Sequence, residues 1–208
     1  MRRVLLPLIV LLSPVAAHAA DGREGSHGRV EGDMAIEAGI GASFGPRAPR
    51  GAADLRFRYL SMAGIFVTYE DGPLFGSSAE PRRALATGVE LRPLFLARWF
   101  TGKSIGNPYL DLSIDSLGLE LGAVFLQPIG AQFGSKPGLQ AGLVFEVPIF
   151  PKASGPWIGL HGGARWSDAA LSGGPLAGPS DRALYLNVVV AWQQVFGTRV
   201  VDMGDRAP

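Results

Sequence analysis

The sequence predicts an all-β protein, an antiparallel, up-and-down transmembrane β-barrel of about eight strands. Apolar residues recur at every second position over most of the chain after residue 33, which is the spacing of strands whose side chains alternate between two faces. Away from the segment ends, the apolar positions of this alternation carry no charged residue. The chain combines 47% hydrophobic residues with 29 Gly and 16 Pro, so turn-forming residues separate apolar segments instead of marking disorder.

The first two segments each keep a single alternation phase. Residues 34–44 alternate apolar side chains with small or polar ones, and Pro46 ends the segment. Residues 53–70 continue one phase throughout, and no Gly, Pro, Asn or Asp at 58–62 favours a tight turn there. This pattern predicts one long strand rather than a hairpin, and the turn-forming triplet at 71–73 closes it.

The next two segments contain interruptions. The third runs from residue 84 to 97, and Pro93 within it marks a bulge, an edge or the end of the strand because proline cannot donate to a ladder. The fourth, about 108–126, changes phase near Asp115. A shift by one residue turns every side chain to the other face, so this region is predicted to hold a bulge or a turn.

The last three segments again alternate regularly, at about 138–147, 156–167 and 182–196. The total is seven segments, whereas single-chain bacterial barrels have an even number of strands. We therefore expect an eighth strand from a break at Pro93 or at Asp115.

The polar face of the segments predicts which solvent surrounds the barrel. It consists mostly of Gly and Ala with scattered charges of both signs, whereas the outer face of a soluble barrel would be dense in Lys, Thr and Glu. An Arg that faces lipid at the bilayer midplane destabilises a barrel by about 2–4 kcal/mol. Apolar rows without charges are therefore expected if lipid lies outside the barrel. All three lysines fall in predicted loops, at Lys103, Lys136 and Lys152. We therefore expect apolar rows to point outward, including Leu184, Leu186, Val188, Val190 and Trp192.

Several aromatic residues lie near the predicted strand ends, where amphipathic rings settle at a membrane interface. The alternative is that they are ordinary core residues of a soluble sandwich. They are Trp99, Phe100, Tyr109, Phe150, Trp157, Trp166 and Trp192.

The N-terminus has the three parts of a secretory signal: Arg2-Arg3, an apolar run over 4–12, and a small-residue site that predicts cleavage after Ala19. No later apolar stretch of about 18 residues lacks a charge, so membrane-spanning segments would have to be strands. The expected organisation is a signal peptide, a flexible N-terminus, a barrel and a C-terminal tail at residues 1–19, 20–32, 33–196 and 197–208.

Composition disfavours several function classes. With 19 Lys+Arg against 18 Asp+Glu, the chain has no bulk charge that would attract nucleic acid. It has no cysteine, which rules out a disulfide, a thiolate metal site or a cysteine nucleophile. No phosphate-binding loop, zinc-binding histidine pair or calcium loop is present, so we expect neither a cofactor nor a metal.

Two stretches suggest a family. Residues 88–98, GVELRPLFLAR, and residues 115–122, DSLGLELG, resemble uncharacterised outer-membrane proteins of myxobacterial type, and the architecture resembles small barrels of the OmpA/OmpX type. The resemblance implies location in a Gram-negative outer membrane, contact with membrane lipid, and extracellular loops that touch an envelope protein or a surface ligand. Such barrels usually finish on an aromatic residue, whereas twelve residues follow Phe196 here.

The strand positions that alternate with the apolar rows carry many charged residues, and their positive and negative charges are nearly balanced. In a barrel of about eight strands, the interior is only just filled by side chains. They are expected to form either a salt-bridged plug or a path for protons or small ions. The candidates are Glu37, Asp54, Arg56, Arg58, Glu70, Glu90, Arg92, Asp111, Asp115, Glu120, Glu146, His161 and Arg165.

Two other functions remain open from the sequence. Some small barrels modify acyl chains of lipid A with a serine, a histidine and a carboxylate, for which Ser167, His161 and Glu146 are available. Barrel deacylases carry a serine two positions after their histidine, however, and Gly163 stands there in this chain. The other possibility is a soluble periplasmic barrel that binds a small apolar ligand inside.

Overall fold

The fold is a closed barrel of eight antiparallel strands, which confirms the predicted fold class. It is seen in a computed structural model that describes residues 34–45, 48–75, 81–101, 103–128, 130–173 and 181–197. The predicted signal peptide, flexible N-terminus and most of the C-terminal tail lie outside these residues. The strands are β1 (Met34–Phe44), β2 (Arg50–Tyr59), β3 (Ala63–Asp71), β4 (Arg83–Leu91), β5 (Gly118–Gln127), β6 (Gly138–Pro148), β7 (Gly155–Trp166) and β8 (Arg182–Phe196).

Each strand pairs with the next along the chain, and β8 closes the ring on β1. Following paired residues once around the barrel from Met34 leads back to β1 at Phe44, ten residues further along that strand. This stagger requires strands that are tilted relative to the barrel axis. The last strand ends on Phe196, an aromatic residue.

The prediction of one long strand over 53–70 is wrong, because β2 and β3 form a hairpin joined by residues 60–62. Leu60 and Ser61 both have positive φ, at 50° and 53°, and the Met62 N–H donates to the Tyr59 carbonyl at 3.1 Å. The turn has three residues, so the paired residues Tyr59 and Ala63 are four apart and the alternation phase is the same before and after it. This turn, rather than a break at Pro93 or Asp115, produces the eighth strand.

The predicted third strand ends at Leu91 and does not continue to residue 97. Residues Pro93–Thr101 form a helix, α1. Proline is well suited to the first helical position, because its missing N–H would have no partner within the helix and its fixed φ is already helical. Pro93 therefore marks the end of the strand, one of the three predicted alternatives.

The predicted fourth strand also begins with a helix, α2, at Pro108–Asp115. The Asn107 side chain accepts hydrogen bonds from the Tyr109 and Leu110 N–H groups, which caps the start of this helix. The change of phase near Asp115 is the end of α2, after which β5 starts at Gly118. A short helix, α3 (Asp168–Leu171), lies between β7 and β8.

No helix in the described parts of the chain is long and apolar enough to cross a membrane.

The apolar rows of the strands point away from the barrel axis, as predicted. Ile40 is 74% exposed at the middle of β1, and its neighbour Val190 on β8 is 56% exposed. Leu184, in the same outward row of β8 as Val190 but near the start of the strand, is 76% exposed. A soluble barrel would need these side chains inside, so the alternative of an apolar interior that binds a ligand is not supported by this arrangement.

The predicted aromatic residues have mixed positions. Trp166 and Trp192 point outward near opposite ends of the barrel wall, and Phe100, Tyr109 and Phe150 are exposed in the connections. The prediction for Trp157 is wrong, because its parity on β7 turns it inward, where it is 1% exposed. The side chain of Trp99 lies outside the part of the structure that is described.

Candidate functional site: the charged barrel interior

Charged side chains fill the inside of the barrel, because the alternation that turns apolar residues outward turns their neighbours inward. Eleven of the thirteen predicted residues lie in this interior and are almost fully buried. The eleven are Glu37, Asp54, Arg56, Arg58, Glu70, Glu90, Arg92, Glu120, Glu146, His161 and Arg165.

Arg58 connects four other strands through one guanidinium group. Its Nη1 donates to Glu37 on β1 at 2.6 Å and to Gln193 on β8 at 2.8 Å. Its Nε donates to Glu90 on β4 at 3.1 Å, and its Nη2 donates to Glu146 on β6 at 2.6 Å. A planar group with five fixed N–H donors is suited to such multiple contacts.

Arg56, two residues earlier on β2, makes a second set of contacts. Its Nη1 donates to Glu90 at 2.6 Å and to Glu120 at 2.7 Å, and its Nε donates to Asp54 at 2.5 Å. Its Nη2 lies 2.7 Å from His161 Nδ1. Since arginine is only a donor, this ring nitrogen acts as the acceptor.

Glu90 joins the two sets. One of its oxygens accepts from Arg56, and the other accepts from Arg58 and from the Arg92 Nε, the last at 2.5 Å. Arg92 also donates through Nη2 to Glu146 at 2.6 Å. These contacts form one continuous network, which we call the central network: Glu37, Asp54, Arg56, Arg58, Glu90, Arg92, Glu120, Glu146 and His161.

A smaller cluster lies nearer the end of the barrel away from the chain termini. Glu70 accepts from Arg165 at 2.6 and 3.0 Å and from Arg50 at 3.1 Å. The Arg165 guanidinium also lies 4.1 Å from the centre of the Tyr185 ring and donates to Gln140 at 2.6 Å. The sequence interpretation missed Arg50 because it lies before the predicted start of its strand at residue 53.

The prediction that Asp111 and Asp115 belong to the interior network is wrong. Both lie on α2 and pair with Arg98 of α1, and the Asp115 contact is 2.8 Å long. Asp111 also accepts from the Ser104 hydroxyl at 2.7 Å and from the Ile105 N–H at 2.9 Å. These aspartates stabilise the connection between β4 and β5 instead, because residues 108–115 are helical and have left the strand alternation.

Apolar side chains close the interior at the end of the barrel that carries the chain termini. Leu112 of α2 is fully buried and clusters with the inward-facing Ala35, Trp157 and Val195. The Ser116 hydroxyl, just after α2, accepts from the Glu146 N–H at 2.9 Å and lies 2.7 Å from its carbonyl oxygen, to which it donates. These contacts fix α2 across the opening.

The groups considered for acyl-chain chemistry do not come together. His161 Nδ1 contacts Arg56 and Glu120, while Glu146 is bound by Arg58 and Arg92. Ser167 lies six residues along the chain from His161, about 20 Å at the rise of a strand, and caps α3. No serine, histidine and carboxylate triad is assembled from these residues.

The arrangement favours a plug over a path. The described interior holds five arginines and six carboxylates, so their charges nearly cancel and each arginine has at least one carboxylate partner. Removing such ions from water is costly, and multiple short hydrogen bonds compensate for that cost. Among the described residues, no group of three or more His, Asp and Glu side chains is placed to hold a metal ion.

No protein-family model and no curated protein matches the sequence. The fold is similar to that of Ail, the attachment invasion locus protein of Yersinia pestis, solved in complex with the heparin analogue sucrose octasulfate. That comparison has 14% identity, covers 79% of this chain and 99% of that one, and has a TM-score of 0.38.

The fold is also similar to that of Neisserial surface protein A, with 9% identity, coverage of 77% of this chain and 96% of that one, and a TM-score of 0.39. A closed barrel of eight antiparallel strands, with an apolar outer wall and a charged interior, is the architecture of the small outer-membrane β-barrel proteins.

Proposed function

We propose that this chain is a non-enzymatic β-barrel of the Gram-negative outer membrane, with a sealed interior and a structural or envelope-interaction role. In this proposal the barrel holds the chain in the bilayer, and the connections at one end of it contact an envelope protein or a surface ligand. Membrane lipid surrounds the wall.

The inversion of polarity across the barrel wall carries the proposal. Burying an arginine and leaving a leucine exposed is unfavourable in water, yet Arg56 and Arg58 are inside while Leu184 and Val190 are outside. In a bilayer the same arrangement is favourable, because lipid solvates the apolar wall and the charges pair with one another.

The interior supports a sealed barrel rather than a pore. The central network crosses the lumen with hydrogen bonds of 2.5–3.3 Å, and the cluster of Leu112 and Trp157 covers the end that carries the termini. Hydrated ions would have to displace charge-assisted hydrogen bonds in order to pass.

Connection lengths favour one orientation. Bacterial barrels have short periplasmic turns and longer extracellular loops. The connections at 60–62 and 149–154 lie at the end that carries the chain termini, and the longer ones at 72–82, 128–137 and 167–181 lie at the other end. We assign the termini to the periplasm and the three longer loops to the cell surface. The helical connection between β4 and β5 and the short connection at 45–49 are exceptions to the length rule.

Fractionation tests the location. The full-length chain expressed in a Gram-negative host is expected in the outer-membrane fraction, with a folded form that migrates differently from the boiled form on a gel. Recovery in a detergent-free periplasmic extract would contradict the proposal.

Single-cysteine variants test the orientation, since the natural chain has no cysteine. Lys136→Cys, in the loop between β5 and β6, is expected to react with a membrane-impermeant maleimide on intact cells. Lys103→Cys, between α1 and α2, is expected to react only after the cells are opened. The reverse pattern would place the termini outside.

Planar bilayers test the sealed interior. Purified protein is expected to give no stable single-channel current. A reproducible open-channel current would contradict the plug and favour the ion path instead.

A further inference from the structure

The connection between β4 and β5 is the unusual part of this barrel. It spans residues 92–117, contains α1 and α2, and lies at the same end as the chain termini, where the other two connections are short. We call residues 93–117 the helical hairpin. An insertion of this size at a position that usually holds a tight turn calls for a physical explanation.

The inner side of the helical hairpin is fixed by specific contacts. Leu112 packs into the barrel opening, and Phe95 of α1 is also buried. Arg98 pairs with Asp111 and Asp115, which ties α1 to α2. The conformation of the hairpin is therefore determined by the barrel and by its own ion pairs.

The outer side of the helical hairpin is rich in apolar side chains, with the polar residues Thr101, Ser104 and Asn107 also exposed. Phe100 is 71% exposed, and five further large apolar side chains are more than one-third exposed, namely Leu94, Ile105, Tyr109, Leu110 and Leu117. Among the charged side chains in the described part of the hairpin, Lys103 is exposed. Arg98, Asp111 and Asp115 are at least partly buried in their mutual ion pairs. In water, such a concentration of exposed apolar side chains would be unfavourable.

The apolar outer side continues the wall of the barrel. Leu91 ends the outward row of β4 just before the hairpin, Leu117 is the last residue of the hairpin, and Leu119 begins the outward row of β5. All three are exposed. Exposed apolar side chains therefore continue along the chain from the barrel wall into the hairpin at both of its ends. Its single exposed cation and its tyrosine are residue types that favour the boundary between headgroups and acyl chains.

We propose that the helical hairpin is an interfacial anchor, whose outer side lies in the phospholipid leaflet at the end of the barrel that carries the termini. Phe100, Ile105 and Leu110 would enter the boundary between headgroups and acyl chains, and Lys103 would face the lipid phosphates. The hairpin then both covers the opening and fixes the depth of the barrel. This inference rests on the proposed membrane location.

Depth-dependent fluorescence quenching tests the anchor. Phe100→Cys and Leu110→Cys, labelled with an environment-sensitive dye, are reconstituted in vesicles of phosphatidylethanolamine and phosphatidylglycerol. The vesicles carry spin-labelled lipids with the quencher either near the headgroup or near the end of the acyl chain. Ile40→Cys, at the middle of the barrel wall, is the control for deep insertion, and Lys136→Cys is the control for exposure to water.

The expected result is strong quenching of the labels at 100 and 110 by the shallow spin label, weak quenching by the deep one, and little quenching by aqueous iodide. Iodide quenching at 100 equal to that at 136, with the deep spin label still quenching at 40, would overturn the anchor and leave the membrane location intact. Quenching at 100 that depends on the protein-to-lipid ratio would assign the surface to a second copy and also overturn it. Absence of lipid quenching at 40 would overturn the membrane location itself.

Discussion

Arg58 on β2 donates a hydrogen bond of 2.6 Å to Glu146 on β6. In a closed ring of eight strands, the second and sixth strands face each other, so this ion pair spans the interior. Glu146 also accepts from Arg92, at 2.6 Å. The lumen is therefore occupied by side chains that bind opposite walls together.

Loss of the Glu146 charge is expected to destabilise the barrel strongly. Glu146→Gln leaves Arg58 and Arg92 without this carboxylate in a buried site, which costs about 3–5 kcal/mol when one partner of a buried pair is removed. The measurement is urea-induced unfolding in lipid vesicles. Asp71→Asn is the matched control, because its pair with Arg83 is partly exposed and screened by water, so the substitution is expected to change the free energy of unfolding much less. Equal losses of unfolding free energy in the two variants would contradict the larger contribution expected from the buried ion pairs of Glu146.

A charge on the outer wall is expected to have an effect that depends on depth. Val190→Arg, in the middle of β8, should lower the free energy of unfolding in vesicles by about 2–4 kcal/mol, and Leu184→Arg, near the end of the strand, by about 0–1 kcal/mol. Both positions are exposed, so a barrel surrounded by water would tolerate both substitutions. Similar, small effects would therefore argue against lipid at the wall.

We expect the addition of a single methyl group at Gly88 to destabilise the barrel, because β4 and β5 approach each other closely at this residue. Gly88 on β4 faces Gly122 on β5, and a Cβ at Gly88 would lie 2.2 Å from the Leu121 carbonyl oxygen. Gly88→Ala should cost about 1–3 kcal/mol, because the contact is with backbone that cannot move away easily.

Gly162→Ala is the control for this prediction. A Cβ at Gly162 would lie 3.5 Å from its nearest neighbour, an ordinary contact, so no comparable loss is expected. Unfolding in urea measures both variants, and a larger loss for Gly162→Ala would contradict the close approach of β4 and β5.

Substitutions in the turn between β2 and β3 are expected to stabilise the barrel. Leu60 and Ser61 adopt positive φ angles that side chains with a Cβ disfavour, whereas Asn and Gly favour them in two-residue hairpin turns. The double variant Leu60→Asn, Ser61→Gly should raise the free energy of unfolding by about 1 kcal/mol. Ser172→Gly, at a residue with φ of −81°, is the control and should give no gain. A gain of similar size there would point to a general effect of glycine instead.

The outward and inward rows were readable from the sequence because alternation with period two fixes the face of every strand residue once the phase is known. Rows without a charge, such as the one through Val190, and opposing positions such as Arg56 and Glu90, therefore predicted both the polarity of the wall and the content of the lumen. Composition and spacing could not predict which carboxylate each arginine binds. That pairing depends on the stagger of the strands, which brings Arg58 to strands far apart in the chain.

The amino-acid sequence by itself determined the class of this protein, an all-β barrel with apolar side chains on one face of every strand, because side-chain chemistry at alternate positions is a local property. Only the tertiary structure decided the turn at 60–62 and the helices in 92–117. The turn preserved the alternation phase across Tyr59 and Ala63, so it left no local signal. The helices are short, and their positions depend on packing at the barrel opening, where Leu112 contacts residues from both ends of the chain.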